Sequence, residues 1–299
     1  MDLMFNFPLT YEEPLFRPPS EARSLILQIT NGCSWNKCSF CEMYSTKAFK
    51  IKSFEKIKKE IDACAETGMK FNKVFLADGD AFVLPSKKLK QILDEINLKI
   101  NSVRRISAYA KPKDLAAKTV EELLNLKESG LNLVYIGIES GDDEVLRLIN
   151  KGETYKSTVE GLIKAKEAGI KLSVMVLNGL GGKQFSKQHA INSAKLINEI
   201  QPEYLSTLVL SFPFGKEHFI KRLGKDFSIL SRIELLEEMK LFLGNTELEQ
   251  TVFRSDHASN YLVLKGILAR DKDLLCNKIE YVLSDPAHDN LREEWQRGL

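Results

Sequence analysis

The sequence predicts an α/β protein, a partial (β/α)6 TIM-like barrel with a C-terminal helical cap. Three observations carry that expectation. Six short, apolar, β-branched runs recur between residues 24 and 212. Amphipathic stretches with helical spacing separate them. Glycine and polar residues follow directly on four of the runs. Runs that are apolar throughout suit strands covered on both faces. Their alternation with helices gives a parallel sheet with right-handed crossovers. A complete eight-unit barrel takes about 250 residues of repeats. Here the alternation fades after Phe212, so six units closed by C-terminal material fit better.

The elements follow in chain order. Residues 1–22 are rich in proline and aromatics, lack periodicity, and read as an extended arm packed on the body. Residues 23–215 read as the core barrel and 216–299 as a cap on the substrate side. Strands are expected at 24–30, 73–78, 105–111, 133–140, 171–178 and 204–212. Helix 53–67 carries Phe54, Ile57, Ile61 and Cys64 at helical spacing and stops at Gly68. Helix 85–100 opens with proline in its first turn. Helix 119–129 begins with a capping box, Thr119 to Glu122, and ends at Gly130. Helix 157–168 ends at Gly169 and helix 186–200 before Pro202. Two further helices, 231–243 and 271–283, flank a segment at 251–262 that is dense in polar groups. No Gly-x-Gly-x-x-Gly follows the first strand, so a dinucleotide fold is not signalled.

Composition narrows the classes. The chain has 299 residues, 43% hydrophobic and 28% charged, as in globular domains. A net charge of +2 gives no bulk field directed at nucleic acid or a membrane surface. No apolar run approaches the ~20 residues that span a bilayer. Residues 1–8 lack the basic and long apolar regions of a signal peptide, so a cytoplasmic location is expected. Five cysteines make no disulfide scaffold, and Cys64 and Cys276 read as small buried hydrophobes. His189, His218 and His288 fall on polar stretches and read as surface residues.

The other three cysteines stand together, in Cys33-Ser-Trp-Asn-Lys-Cys38-Ser-Phe-Cys41, just after the first strand. Three thiolates on one loop can hold one face of an iron–sulfur cluster and leave one iron open. Two other readings compete. Structural zinc is four-coordinate and takes its ligands in paired knuckles, and no second knuckle follows Cys41. A redox dithiol of Cys38 and Cys41 would need neither Cys33 nor the glycine turns. Those turns are Asn31-Gly32, Asp78-Gly79-Asp80, Glu139-Ser140-Gly141 and Asn178-Gly179-Leu-Gly181-Gly182. In parallel α/β folds ligands bind at the carboxyl ends of strands, where all four lie.

The cysteine loop, with Phe40 before its last cysteine, resembles the cluster loop of the radical S-adenosylmethionine superfamily. The family's commonest spacing has three residues between the first two cysteines; this chain has four. The resemblance covers about residues 20–215. It is closest to the branch of oxygen-independent coproporphyrinogen dehydrogenase. That branch's porphyrin-binding N-terminal segment and C-terminal domain are not evident, so its substrate is not carried over. The resemblance implies a [4Fe–4S] cluster on Cys33, Cys38 and Cys41, and S-adenosylmethionine on the open iron. It implies that Asp78, Gly79 and Asp80 serve the cofactor's amine and that Glu139 accepts from its ribose. Lys151 and the Asn178 turn then serve the carboxylate or ribose. It also implies an external electron donor of flavodoxin or ferredoxin type. The cofactor yields a 5′-deoxyadenosyl radical that takes hydrogen from a small-molecule substrate.

Each residue also has an ordinary reading. Asp78-Gly79-Asp80 suits a βα turn, Asp142 a helix cap, and Lys151 a solvated lysine at a helix end. On the substrate side, Arg254 could hold an anion and His257 relay a proton. The same segment also suits a capped turn sealing the barrel. Tyr109 could line the cavity or its core. Three functional readings follow: a radical enzyme, a cluster-bearing haem or metal chaperone without turnover, and a zinc-stabilised protein.

Overall fold

The computed structural model describes residues 8–212, 214–224, 227–285 and 291–297. Two compact units emerge. The first comprises Met1–Asn36, Met43–Tyr135 and Lys164–Lys171; the second comprises Lys37–Glu42, Ile136–Ile163 and Leu172–Leu299.

In the first unit, β1 (Leu25–Gln28) is followed by a short ribbon of β2 (Thr30–Asn31) and β3 (Lys50–Ile51). Helix α1 (Phe54–Glu66) is capped by Ser53 and buries Ile57, Ile61 and Cys64, one residue per turn. Burial pushes the Cys64 thiol up to about 12, which suits a packed, inert cysteine. Then come β4 (Lys73–Ala77), α2 (Ser86–Lys99), β5 (Arg105–Tyr109), α3 (Pro112–Ala116), α4 (Val120–Glu128) and the start of β6 (Leu131–Glu139). The capping box of Thr119 and Glu122 opens α4 as the sequence predicts. Ile26, Phe75, Ala77, Leu133 and Tyr135 form a core patch, against which Tyr11 and Leu15 of the N-terminal arm pack.

The second unit takes the end of β6, α5 (Asp143–Leu148), α6 (Tyr155–Glu167, whose last turn belongs to the first unit), β7 (Lys171–Asn178), α7 (Gly182–Ile200) and β8 (Tyr204–Val209). It closes with α8 (Lys216–Leu223), α9 (Arg232–Gly244), β9 (Val252–Ser255), β10 (Leu264–Ile267) and α10 (Leu268–Ser284). Among the described residues the main sheet has the order β1-β4-β5-β6-β7-β8-β9-β10. β9 pairs parallel with β8, and β10 returns antiparallel to β9. The predicted polar segment at 251–262 therefore begins as a strand. It escaped notice because β9 is four residues long with Arg254 turned outward. No described helix is long and apolar enough to cross a membrane.

The arm is fixed to the first unit by a buried carboxylate. Glu21 accepts from Ser24 Oγ at 2.5 Å, Tyr135 Oη at 2.5 Å and Arg105 Nη2 at 2.5 Å. Burial works against its charge, but these three donors outweigh it and hold the carboxyl below its ordinary range. An acid with a lowered pKa stabilises the fold above its ordinary pKa, and that contribution fades as pH falls through the folded value. Glu21→Gln should therefore cost about 1–3 kcal/mol at pH 7. The deficit should shrink towards pH 3, as read by urea unfolding of both proteins at each pH.

Candidate functional site

The cysteine loop leaves the first unit after Asn36, runs through Lys37–Glu42 in the second, and returns at Met43. None of the three cysteines is in a disulfide, and all are partly exposed.

On the first unit, Cys33 follows the β2 strand, and its neighbourhood is set by Asp78-Gly79-Asp80 after β4. Gly79 is required by packing. A Cβ there would lie 2.6 Å from the Tyr44 ring and 3.2 Å from Cys33 Cβ. Asp78 is fully buried, with both oxygens engaged. Its Oδ2 accepts from the Gly32 N–H at 3.0 Å and pairs with Lys47 Nζ at 2.9 Å, while its Oδ1 accepts from Gln28 Nε2 at 3.1 Å. Asp78 thus clamps the base of the cysteine loop. Asp80 is equally buried. Its Oδ2 meets Ser34 Oγ and Lys111 Nζ, the latter at 3.0 Å. Its Oδ1 is buried without a partner among the described residues. Burial, with the Asp114 charge beside it, pushes Asp80 up to about 6 against the pull of Lys111. Tyr109 packs edge-on against Phe75 at 5.0 Å and Tyr135 at 6.3 Å, and burial raises its pKa.

On the second unit, Cys38, Phe40 and Cys41 are tied to the turn after α5. Ser39 N–H donates to the Ile149 carbonyl at 2.8 Å, and Asn150 Nδ2 to the Lys37 carbonyl at 3.1 Å. Phe40 packs against a core patch that includes Val145, Ile149 and Leu177. Lys151 stands over the Phe40 ring at 5.8 Å and pairs with Glu139 Oε1 at 3.1 Å. Burial opposes its charge, but Glu139 and then the thiols of Cys38 and Cys41 outweigh that and raise its pKa. A cation so placed favours thiolate over thiol. The solvated-lysine reading is thereby corrected: Lys151 is largely buried, and its charge is met by Glu139. Glu139 ends β6 at φ 66°, a conformation sparsely used by non-glycine residues. Its Oε2 is buried without a partner among the described residues.

Asn178 Nδ2 is spent on the Leu235 carbonyl at 3.1 Å. Asp142 caps α5 through the Val145 N–H at 3.0 Å. Arg254 is exposed on β9. His257 Nδ1 accepts from the Ser259 N–H at 3.1 Å, and burial lowers its pKa. These two residues form a strand and a sealed turn. His218 is exposed as expected, although it approaches Glu42 at 3.2 Å. His288 lies outside the described residues. His189 is 1% exposed, which corrects its reading as a surface residue: α9 covers that face of α7.

Sequence reasoning did not find Ser34, Lys47, Lys111 or Arg222. Arg222 donates from Nη2 to the Cys38 carbonyl at 2.8 Å and from Nη1 to Glu42. Among the described residues, no three His, Cys, Asp or Glu side chains are gathered closely enough to chelate a single ion, the three loop cysteines included.

The sequence profile of the Radical SAM superfamily matches residues 27–197. The chain is 30% identical over 140 residues to the heme chaperone HemW of Bacillus subtilis (strain 168), covering 45% of this chain and 36% of that protein. It is 22% identical over 195 residues to the heme chaperone HemW of Buchnera aphidicola subsp. Acyrthosiphon pisum (strain APS), covering 62% and 50%. The matches thus span half or less of these relatives' length. Among solved structures, coproporphyrinogen III oxidase (HemN) from Escherichia coli aligns with TM-score 0.57 at 18% identity, covering 74% of this chain and 52% of that one. Methylornithine synthase (PylB) aligns with TM-score 0.51 at 17% identity, covering 75% and 63%. At such identities the likeness is one of fold, and it is the partial barrel that the strand order describes. The heme chaperones and the coproporphyrinogen oxidase lie in the branch that the sequence resembles. With its profile matched over more than half its length, the chain belongs to the Radical SAM superfamily.

Proposed function

We propose that this protein is a radical S-adenosylmethionine enzyme acting on a small molecule. Cys33, Cys38 and Cys41 would hold a [4Fe–4S] cluster, leaving one iron open to S-adenosylmethionine. The observation that carries this reading is the buried pair beside the cysteine loop: Lys151 against Phe40 and Glu139, with Glu139 Oε2 still free to accept. A buried carboxylate oxygen without a donor costs free energy unless a ligand supplies one. A ribose hydroxyl is such a donor. The second unpartnered oxygen, Asp80 Oδ1, suits an amine N–H, whereas both oxygens of Asp78 are already engaged. The amine role therefore passes to Asp80, and Asp78 keeps the loop base in place. Phe40 shields one side of Lys151, and Arg222 neutralises Glu42 next to Cys41. When bound, cluster and cofactor together supply an electron and a carbon-centred radical able to abstract hydrogen. The electron comes from an external donor of flavodoxin or ferredoxin type. Residues 23–215 carry this chemistry, and 216–299 shape the substrate side.

A second reading is favoured by the relatives named as heme chaperones: a cluster-bearing protein that carries haem without turnover. One anaerobic experiment separates the two. Protein reconstituted with iron and sulfide is treated with dithionite and S-adenosylmethionine, then titrated with haem. Release of methionine and 5′-deoxyadenosine is expected. Stoichiometric haem binding with no cleavage would favour the chaperone reading. A colourless protein that takes up neither iron nor the cofactor would sink both.

A further inference from the structure

Within the second unit, the turn after β6 and the turn after β7 are joined by groups that the cofactor reading does not use. Glu238, on α9, is 2% exposed. Its Oε1 accepts from the Gly179 N–H at 2.6 Å, and its Oε2 is buried without a partner among the described residues. His189, on α7, faces it from the other side. His189 Nδ1 lies 2.8 Å from Ser140 Oγ, which already accepts from the Asp142 N–H at 3.0 Å. Where Ser140 Oγ donates to Nδ1, the neutral ring carries its proton on Nε2. Nε2 lies 3.8 Å from Glu238 Oε1, the oxygen already bonded to Gly179, which is too far for a direct hydrogen bond; the unpartnered Oε2 sits on the same carboxylate beside the ring. A cavity of about 10 Å³ adjoins them, lined also by Asn178 and Thr207. That space is at the lower limit for one water molecule, and its walls offer polar partners.

We infer that Glu238 and His189, bridged by one buried water, are a positioning pair that holds the Asn178-Gly179 turn in register with the Glu139-Ser140 turn. Neither touches the cofactor. Both act through the strand ends, so the inference rests on the proposed function for its catalytic consequence. A buried carboxylate is costly unless its oxygens are satisfied. One oxygen fixes the backbone of Gly179, whose φ is +86°, and the water satisfies the other.

The test compares Glu238→Ala and Glu238→Gln by hydrogen exchange of the peptide over residues 178–184, in protein without cluster or cofactor. In the wild type the Gly179 amide should be among the slowly exchanging ones. Glu238→Ala should raise its exchange about tenfold, and Glu238→Gln, which keeps an acceptor, should restore protection. With cluster loaded, Glu238→Ala should raise the KM for S-adenosylmethionine about tenfold at nearly unchanged kcat and iron content, and Glu238→Gln should recover it. Rapid exchange of Gly179 in the wild type, or a glutamine variant as impaired as the alanine one, would overturn the pair. The wild-type measurement decides even if the alanine variant does not fold. Absence of cofactor binding by the wild type would sink the functional reading and leave the exchange result standing. A high-resolution crystal structure should show the water within hydrogen-bonding distance of His189 Nε2 and Glu238 Oε2; a dry gap would refute the bridge.

Discussion

Replacing Cys38 with alanine is expected to abolish iron loading and cofactor cleavage together. The substitution removes a thiolate and its pull on Lys151 but leaves the backbone contacts of the loop. Arg222 holds the Cys38 carbonyl, and Ser39 and Asn150 hold the neighbouring backbone; none of these contacts uses the Cys38 side chain. The apo variant should therefore unfold in urea close to wild type. After anaerobic reconstitution, iron should fall from about four per chain to near zero, because two thiolates cannot retain the cube. Formation of 5′-deoxyadenosine should drop by more than ~100-fold, beyond the range for losing a mere supporting group. Cys64→Ala supplies the contrast. Its thiol is buried against α1's core face, so the variant should lose stability and keep its iron. Full iron retention with undiminished cleavage in Cys38→Ala would remove the cluster assignment.

Lys151→Met should destabilise the apo protein by about 3–5 kcal/mol, the cost of leaving a buried carboxylate without its counter-ion. The pair spans 3.1 Å, with side chains 12% and 5% exposed, so solvent cannot replace the lost charge. Adding Glu139→Gln to Lys151→Met should recover most of the deficit, since the pair is then neutral. Cofactor binding should stay lost in both variants. The pH dependence has a definite sign. A lysine whose pKa is raised on folding contributes fully below its ordinary value of about 10.4 and loses that contribution only as pH rises through the folded value. The deficit should thus be equal at pH 6 and pH 9, measured by chemical denaturation. A deficit below about 1 kcal/mol would mean that the pair behaves as an exposed one.

Much of this was legible in the chain. The six predicted strands coincide with β1 and β4 to β8 because each is a short apolar run ended by glycine or a polar residue. Phe40 and Lys151 were legible from the family resemblance, which needs no contacts. Their pairing with Glu139 was not, since nothing local links residues 12 apart across a turn and a short helix. The Lys47 to Asp78 bond was hidden for the same reason: one lysine among several in a polar stretch gains its meaning from a strand end 31 residues on. His189 was misjudged because its helix carries polar residues around most of its circumference, and only α9 decides which side is covered.

The close approach at Gly79 constrains how this sequence can drift. Position 79 is barred to every residue with a side chain for as long as Tyr44 keeps its ring in place, and any yielding there presses next on Cys33. The aromatic at 44 and the absent side chain at 79 form a lock between distant stretches of chain. In diverging descendants the two positions should change as a couple: a smaller residue at 44 first, and only then anything larger than hydrogen at 79.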